Sequence, residues 1–244
     1  MTRHYQTITA FCIILMVTNI ESGFAQSQSP VNLPLNPQDW QEIKVDESLK
    51  RNEFRFSIQD QTPMVEIYSD TSMSLIARPL SVDLQQTPVL CWRWRVNRVI
   101  DKADLNERSG DDYAARVYLS FVIPDDEKSL ALKIQLGLAR SIWGDTVPDG
   151  AINYVWDNRH KVDTYQPNAY TDRIMMVVAQ SGPQKVGQWV WQRRHVGHDM
   201  KKFFTPSAKP IQIALAADTD NTAETVQASF ANIRFVDEQT SCPP

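Results

Sequence analysis

Strong charge, long apolar runs and cysteine are what this 244-residue sequence has least of. The formal net charge is only −4, which argues against a general nucleic-acid binder, because such a protein needs a basic balance to neutralise phosphates. The apolar run at residues 11–17 is too short to span a bilayer, and no second run follows it. No CxxC pair, Gly-rich phosphate loop, GxSxG elbow or HExxH occurs, so thiol-redox, nucleotide, serine-hydrolase and zincin chemistry are disfavoured. There is no internal repeat and no low-complexity block.

What is there begins with an export signal. Arg3 and His4 precede the apolar run, and Gly23 and Ala25 put small residues where a signal peptidase cuts. Residues 1–25 are therefore expected to be removed and the protein to be periplasmic or secreted. Residues 26–36, mostly Ser, Gln, Pro and Asn, read as a flexible leader. Residues 37–236 read as one domain and residues 237–244 as a tail. Cys91 and Cys242 remain after cleavage. In an oxidising compartment they either form a bridge that stabilises by about 2–4 kcal/mol or stay as two thiols, and both readings are open.

The domain is written in alternating residues. At residues 90–96 (LCWRWRV), Leu90, Trp92, Trp94 and Val96 share one parity, while Cys91, Arg93 and Arg95 share the other. Residues 113–121 repeat this, with Ala115, Val117, Leu119 and Phe121 set against Ala114, Arg116, Tyr118 and Ser120. Read as neighbouring core strands, the two stretches predict a sheet with an apolar face and a basic, partly aromatic outer face. Further strands are expected at residues 53–58, 64–69, 74–82, 152–156, 173–180, 188–194, 211–218 and 226–235. Turns fall at residues 59–62 and at 181–183, the latter read as a hairpin. After Pro124, Asp125 is a cap for a helix in which Leu130, Ile134, Leu138 and Ile142 recur every fourth residue. The expected fold is mainly β, an antiparallel β-sandwich of jelly-roll type with one accessory helix.

Three sets of residues carry chemistry. Arg93, Arg95 and Arg116 on one sheet face could bind a carboxylated or sulfated sugar bidentately, with Tyr118 stacking beside them. Asp111, Asp112, Asp218 and Asp220 stand at strand ends. If those ends share a rim, Asp218, Asp220 and Asn221 offer the oxygen donors that calcium prefers, although capping a turn with Asp218, Asp220 and Thr222 is the more ordinary use of such residues. Asp112 with Asp218 or Asp220 could also act as an acid and base pair on a glycosidic bond, which needs carboxyls about 5–5.5 Å apart for retention or about 6.5–9.5 Å for inversion. Finally, His195, His198 and Asp199 could ligate a metal, although Asp199 also reads as the cap of a turn at residues 200–204. His160 reads as surface, most of the seven tryptophans as core, and Trp143 and Trp156 as candidate sugar platforms.

At RSGDDYAARVYLSF, at LCWRWRV and at the late DTDNT, residues 218–222, the sequence resembles the bacterial exported family called domain of unknown function 3047. The likeness runs from about residue 51 to 235. It includes the WG step at Trp143 and Gly144, the run Asn153, Tyr154, Val155, Trp156, and the strand that ends in Arg194. It departs from the family pattern at His195 and Met200, where Asn and Tyr are more usual. The resemblance implies a secreted or periplasmic sandwich of the jelly-roll kind shared by many carbohydrate-binding modules, and Arg194 joins the candidate ligand set with Arg93, Arg95, Arg116, Tyr118 and Asp112. The expected partner is a saccharide or other anionic ligand, with no cofactor unless calcium. A polysaccharide-cleaving enzyme and an envelope assembly partner are the other readings.

Overall fold

The computed structural model describes residues 29–44, 46–143 and 147–243. The expected export signal and Gly144 lie outside these residues, as does the side chain of Trp143. In chain order the strands are β1 (Val31–Asn32), β2 (Gln41–Ile43), β3 (Glu53–Gln59), β4 (Thr62–Asp70), β5 (Met73–Pro79), β6 (Val89–Val96) and β7 (Arg116–Val122). They continue with β8 (Gly150–Asp157), β9 (Tyr165–Asn168), β10 (Thr171–Ser181), β11 (Val190–His195), β12 (Lys209–Asp218) and β13 (Thr225–Val236). Two helices join them, α1 (Leu130–Trp143) and α2 (Val196–Phe203).

The strands form two layers, so the chain is an antiparallel β-sandwich of the expected class. A six-stranded sheet runs β11-β6-β13-β4-β3, with β1 also on β13, and a seven-stranded sheet runs β2-β5-β12-β7-β8-β10-β9. β8 and β10 pair in parallel. The hairpin from β3 to β4 turns at Asp60 and Gln61, whose φ values of 50° and 61° are those of a type I′ turn, the hand that matches strand twist.

The two organising stretches do not pair. β6 lies in one sheet, between its edge strand β11 and β13, and β7 at the middle of the other, and their apolar parities face each other across the core. Trp92 and Trp94 of β6 pack on Tyr154 and Trp156 of β8, with ring centroids 5.6 and 5.8 Å apart. All four rings are buried, each contributing roughly 4–6 kcal/mol by area. The consequence is that the polar parities of β6 and β7 point away from one another, onto opposite outer surfaces. Trp156 is thereby core and not a sugar platform, and its Nε1 donates to the Gly182 carbonyl at 3.1 Å.

Several other expectations are corrected. The leader is structured where it is described: β1 pairs with β13, and Leu33 and Leu35 are buried. The turn at residues 181–183 is no hairpin, since β10 and β11 belong to different sheets. α1 is capped by Ser129, whose Oγ accepts the Leu132 N–H, while Asp125 pairs with Lys128 instead. Of its fourth-residue stripe, Leu130 and Ile134 are exposed while Leu136, off the stripe, is buried, and the side chains of Leu138 and Ile142 lie outside the described residues. A second helix, α2, was not expected. His195 caps it by accepting the His198 N–H, so Asp199 is not its cap.

Cys91 and Cys242 are bridged, with Cα atoms 5.3 Å apart. The bridge packs with Val89, Val236 and Trp191 and pins the tail onto the outer face of the six-stranded sheet.

Candidate functional site

The candidate residues fall in three separate places. The first is the start of β7 and the end of β12, which antiparallel pairing brings to one rim. Asp112, Asp218 and Asp220 meet there, with one carboxylate oxygen from each lying within 4.8 Å of the others. The geometry answers what those oxygens do. Asp112 accepts the N–H groups of Thr222 at 2.7 Å and of Asn221 at 3.3 Å, and the Asn221 side chain at 3.2 Å. Asp218 accepts the Tyr113 N–H at 2.8 Å and pairs directly with Arg116. Both carboxyls are buried.

Arg116 is the centre of this rim and is not on an open face. Its side chain is 3% exposed. With the Asn153 amide oxygen turned toward it, Nη2 and Nε donate to that oxygen at 2.9 and 3.0 Å, and Asp111 supplies a further contact at 3.4 Å. Tyr113 and Tyr118 flank the guanidinium at 4.7 and 5.1 Å. Burial works against the charge, but contact with Asp218 holds Arg116 protonated well above its ordinary range. Burial likewise raises the Tyr118 phenol.

Such a rim is a buried knot, and its acids are bonded to backbone amides in the way of turn caps. Asp112 and Asp218 are not placed to act on a glycosidic bond. A calcium ion would have to displace Arg116 from Asp218, so these residues do not fit one. The long polar loop at residues 97–112, which led to the rim, is itself packed: Val99, Ile100, Ala103 and Leu105 are buried, and Asn158 and Arg159 bond its carbonyls. Gly110 is required there, since a Cβ would sit 2.6 Å from the Asp104 nitrogen.

Asp220 alone is half-buried at this rim, and burial, then Asp112 beside it, raises its carboxyl above the ordinary 3.8. The folded state therefore keeps a proton that the unfolded chain releases, and this contribution to stability is lost as pH rises from about 4 through the raised value. Asp220→Asn is expected to remove it. Urea midpoints of the two proteins should diverge in favour of the variant as pH rises above about 4 and level off once the raised pKa is passed, and a constant difference would contradict the placement.

The second place holds Arg194. It lies on the inward parity of β11, opposite Leu90, bonding Asp163 at 2.5 Å and Asp199 at 3.4 Å. Asp199 also accepts the Tyr154 hydroxyl at 2.8 Å. Arg194 thus ties α2 to β8 and is not open to a ligand, and Asp199 cannot join His195 and His198. Glu238 of the tail stands near those histidines instead, 3.8 Å from His195. Burial and then His198 lower the His195 pKa, and His195 Nδ1 is taken by its capping bond. His160 is not free surface, since its ring bonds Asp157 at 3.2 Å.

The third place is the outer face of the six-stranded sheet, where Arg93 and Arg95 of β6 are half-exposed. Trp189, just before β11, lies 4.7 Å from the Arg93 guanidinium and 5.0 Å from that of Arg95. Trp191 follows, 6.0 Å from Arg93 and 5.8 Å from Arg234. Guanidinium and indole alternate in a ladder. Among the described residues no carboxylate stands within ion-pair distance of Arg93 or Arg95, although Asp60 attracts the Arg93 charge from farther off, and Arg93 Nε is buried without a hydrogen-bond partner. Burial pulls the Arg93 pKa down. The tryptophans were missed as part of this site. Their signal was present, because Trp189 and Trp191 share the parity of Arg193 and not that of Val190.

No curated protein matches the sequence. Among solved structures, a family 30 carbohydrate-binding module of a cellulosomal cellulase of Clostridium thermocellum overlaps 88% of this chain and 96% of its own, at 9% identity and a TM-score of 0.40. The xyloglucanase domain of NopAA, a type three effector from Sinorhizobium fredii, overlaps 83% and 96% at 6% identity and a TM-score of 0.42. An endoglucanase from Rhodothermus marinus overlaps 87% and 98% at 8% identity and a TM-score of 0.43. Likeness at this level carries no argument about ligand or activity. The family described as "Protein of unknown function (DUF3047)" matches residues 38–234, and the chain belongs to that family.

Proposed function

We propose that the protein is exported and binds an anionic saccharide without cleaving it, on the outer face of the six-stranded sheet at Arg93 and Arg95. The observation that carries this reading is the pair of guanidinium groups stacked on Trp189 with no carboxylate in ion-pair contact with either among the described residues, Asp60 acting on Arg93 only from a longer distance. Stacking occupies the faces of a guanidinium and leaves its in-plane N–H donors free. Those donors match a carboxylate or sulfate in a two-pronged hydrogen bond, and the indole has already fixed their orientation. The Cys91–Cys242 bridge supports export, because such bonds persist in oxidising compartments. Among the described residues no helix is long and apolar enough to cross a membrane.

Arg93→Ala/Arg95→Ala should lose at least about tenfold in affinity for a uronate-rich or sulfated polysaccharide in gel retardation, as expected when two charge-assisted contacts are removed. Retention of the wild type should weaken with salt. Unchanged retention of the double variant overturns the site, and new reducing ends released by the wild type overturn the non-catalytic part.

A further inference from the structure

The same face carries a second feature that this reading does not use. Beside the arginines a groove of about 410 Å³ is lined by Glu53, Phe54, Arg55, Glu66, Tyr68 and Gln227. Strand register places it. Arg95 is opposite Ser229, Ser229 opposite Glu66, and Glu66 opposite Arg55, so one row of outward positions crosses from β6 to β3. Tyr68 lies one outward position along from Glu66 and is 42% exposed. With strands about 4.8 Å apart and about 3.4 Å per residue along them, Tyr68 stands roughly 12 Å from Arg95.

The two ends of this track differ in charge. At Arg93 and Arg95 there are two guanidinium groups and no acid within ion-pair distance among the described residues. In the groove, Glu53 and Glu66 face the single guanidinium of Arg55, and Gln227 donates to Glu66 at 3.1 Å. An exposed phenol rimmed by planar Glu, Arg and Gln groups suits the face and hydroxyls of an uncharged sugar ring. It disfavours a carboxylated ring, which would meet two like charges.

We infer, building on the proposed saccharide reading, that the ligand is a heteroglycan carrying both charged and uncharged sugars, with an acidic unit at Arg93 and Arg95 and an uncharged unit farther along the same chain on Tyr68. A single ring cannot span the two subsites, so recognition depends on chain length as well as on charge.

The test uses three probes in calorimetric titration of the full chain. These are a hexasaccharide alternating hexuronate with N-acetylhexosamine, a hexamer of hexuronate alone, and a hexuronate disaccharide. The alternating hexamer should bind the wild type at least tenfold more tightly than the homopolymer. Tyr68→Ala should remove that advantage and leave the disaccharide unaffected, and Glu53→Gln/Glu66→Gln should raise affinity for the homopolymer. Equal affinities for the two hexamers, or a Tyr68→Ala variant that still prefers the alternating one, overturns the inference. Arg93→Ala/Arg95→Ala separates the two claims: if it abolishes binding of every probe while Tyr68→Ala changes none, the anionic site stands and the second subsite falls.

Discussion

Replacing Asp218 with Ala is expected to lower the free energy of unfolding by about 3–5 kcal/mol, read as a shift in urea midpoint at unchanged slope. The reason is the neighbour left behind. Arg116 is buried and cannot shed its proton at any working pH, so without Asp218 its charge is held chiefly by Asp111 at 3.4 Å. The Tyr113 N–H also loses its acceptor. A double replacement, Arg116→Met/Asp218→Leu, should be milder than Asp218→Ala alone, because removing both charges removes the penalty of burying one. If Asp218→Ala costs under about 1 kcal/mol, the pair does not hold the rim together. None of these replacements touches the arginines proposed to bind ligand, so saccharide affinity per folded molecule should be unchanged.

The second large effect is expected from Cys91→Ala/Cys242→Ala, at about 2–5 kcal/mol. The bridge closes a loop between residues separated by 151 positions, long enough that the chain-entropy argument puts its effect at the upper end of that range. What it holds in the folded state is local: the tail is drawn onto Trp191, Arg193 donates to the Glu238 carbonyl at 2.5 Å, and Arg234 donates to the Cys242 carbonyl at 2.5 Å. Loss of the bridge should therefore loosen residues 237–243 in hydrogen exchange before it unfolds the sandwich. Alkylation of the denatured protein should find two more thiols after reduction than before, and an unchanged count would remove the bridge.

Both predictions concern groups for which the sequence left more than one role open. Arg116 shares its outward parity with Tyr118 just as Arg93 does with Arg95, and alternation cannot distinguish an outer face left open from one covered by loops. What separates them is sheet membership. With β6 and β7 in one sheet the three arginines would have formed a single cluster. With each strand in its own sheet, one pair stays at the surface and Arg116 is enclosed. Arg194 shows the same limit: its parity with Val190 and Gln192 was visible, but the acid partners that occupy it come from α2 and from residue 163.

The sequence by itself determined the class of fold, most strand positions, the parity that buries Trp92 and Trp94, and the family to which the chain belongs. These follow from local rules, since a strand's two faces and a turn's residues are written within a few positions of each other. Only the tertiary structure decided which strands share a sheet, which of two equal cysteine readings holds, and which charged groups are compensated. Those depend on contacts between residues far apart in the chain: Asp218 reaches Arg116 across 102 positions, and Cys242 reaches Cys91 across 151. Whether a guanidinium serves the fold or remains free for a ligand is settled by what packs over it, and a period of two carries no record of that.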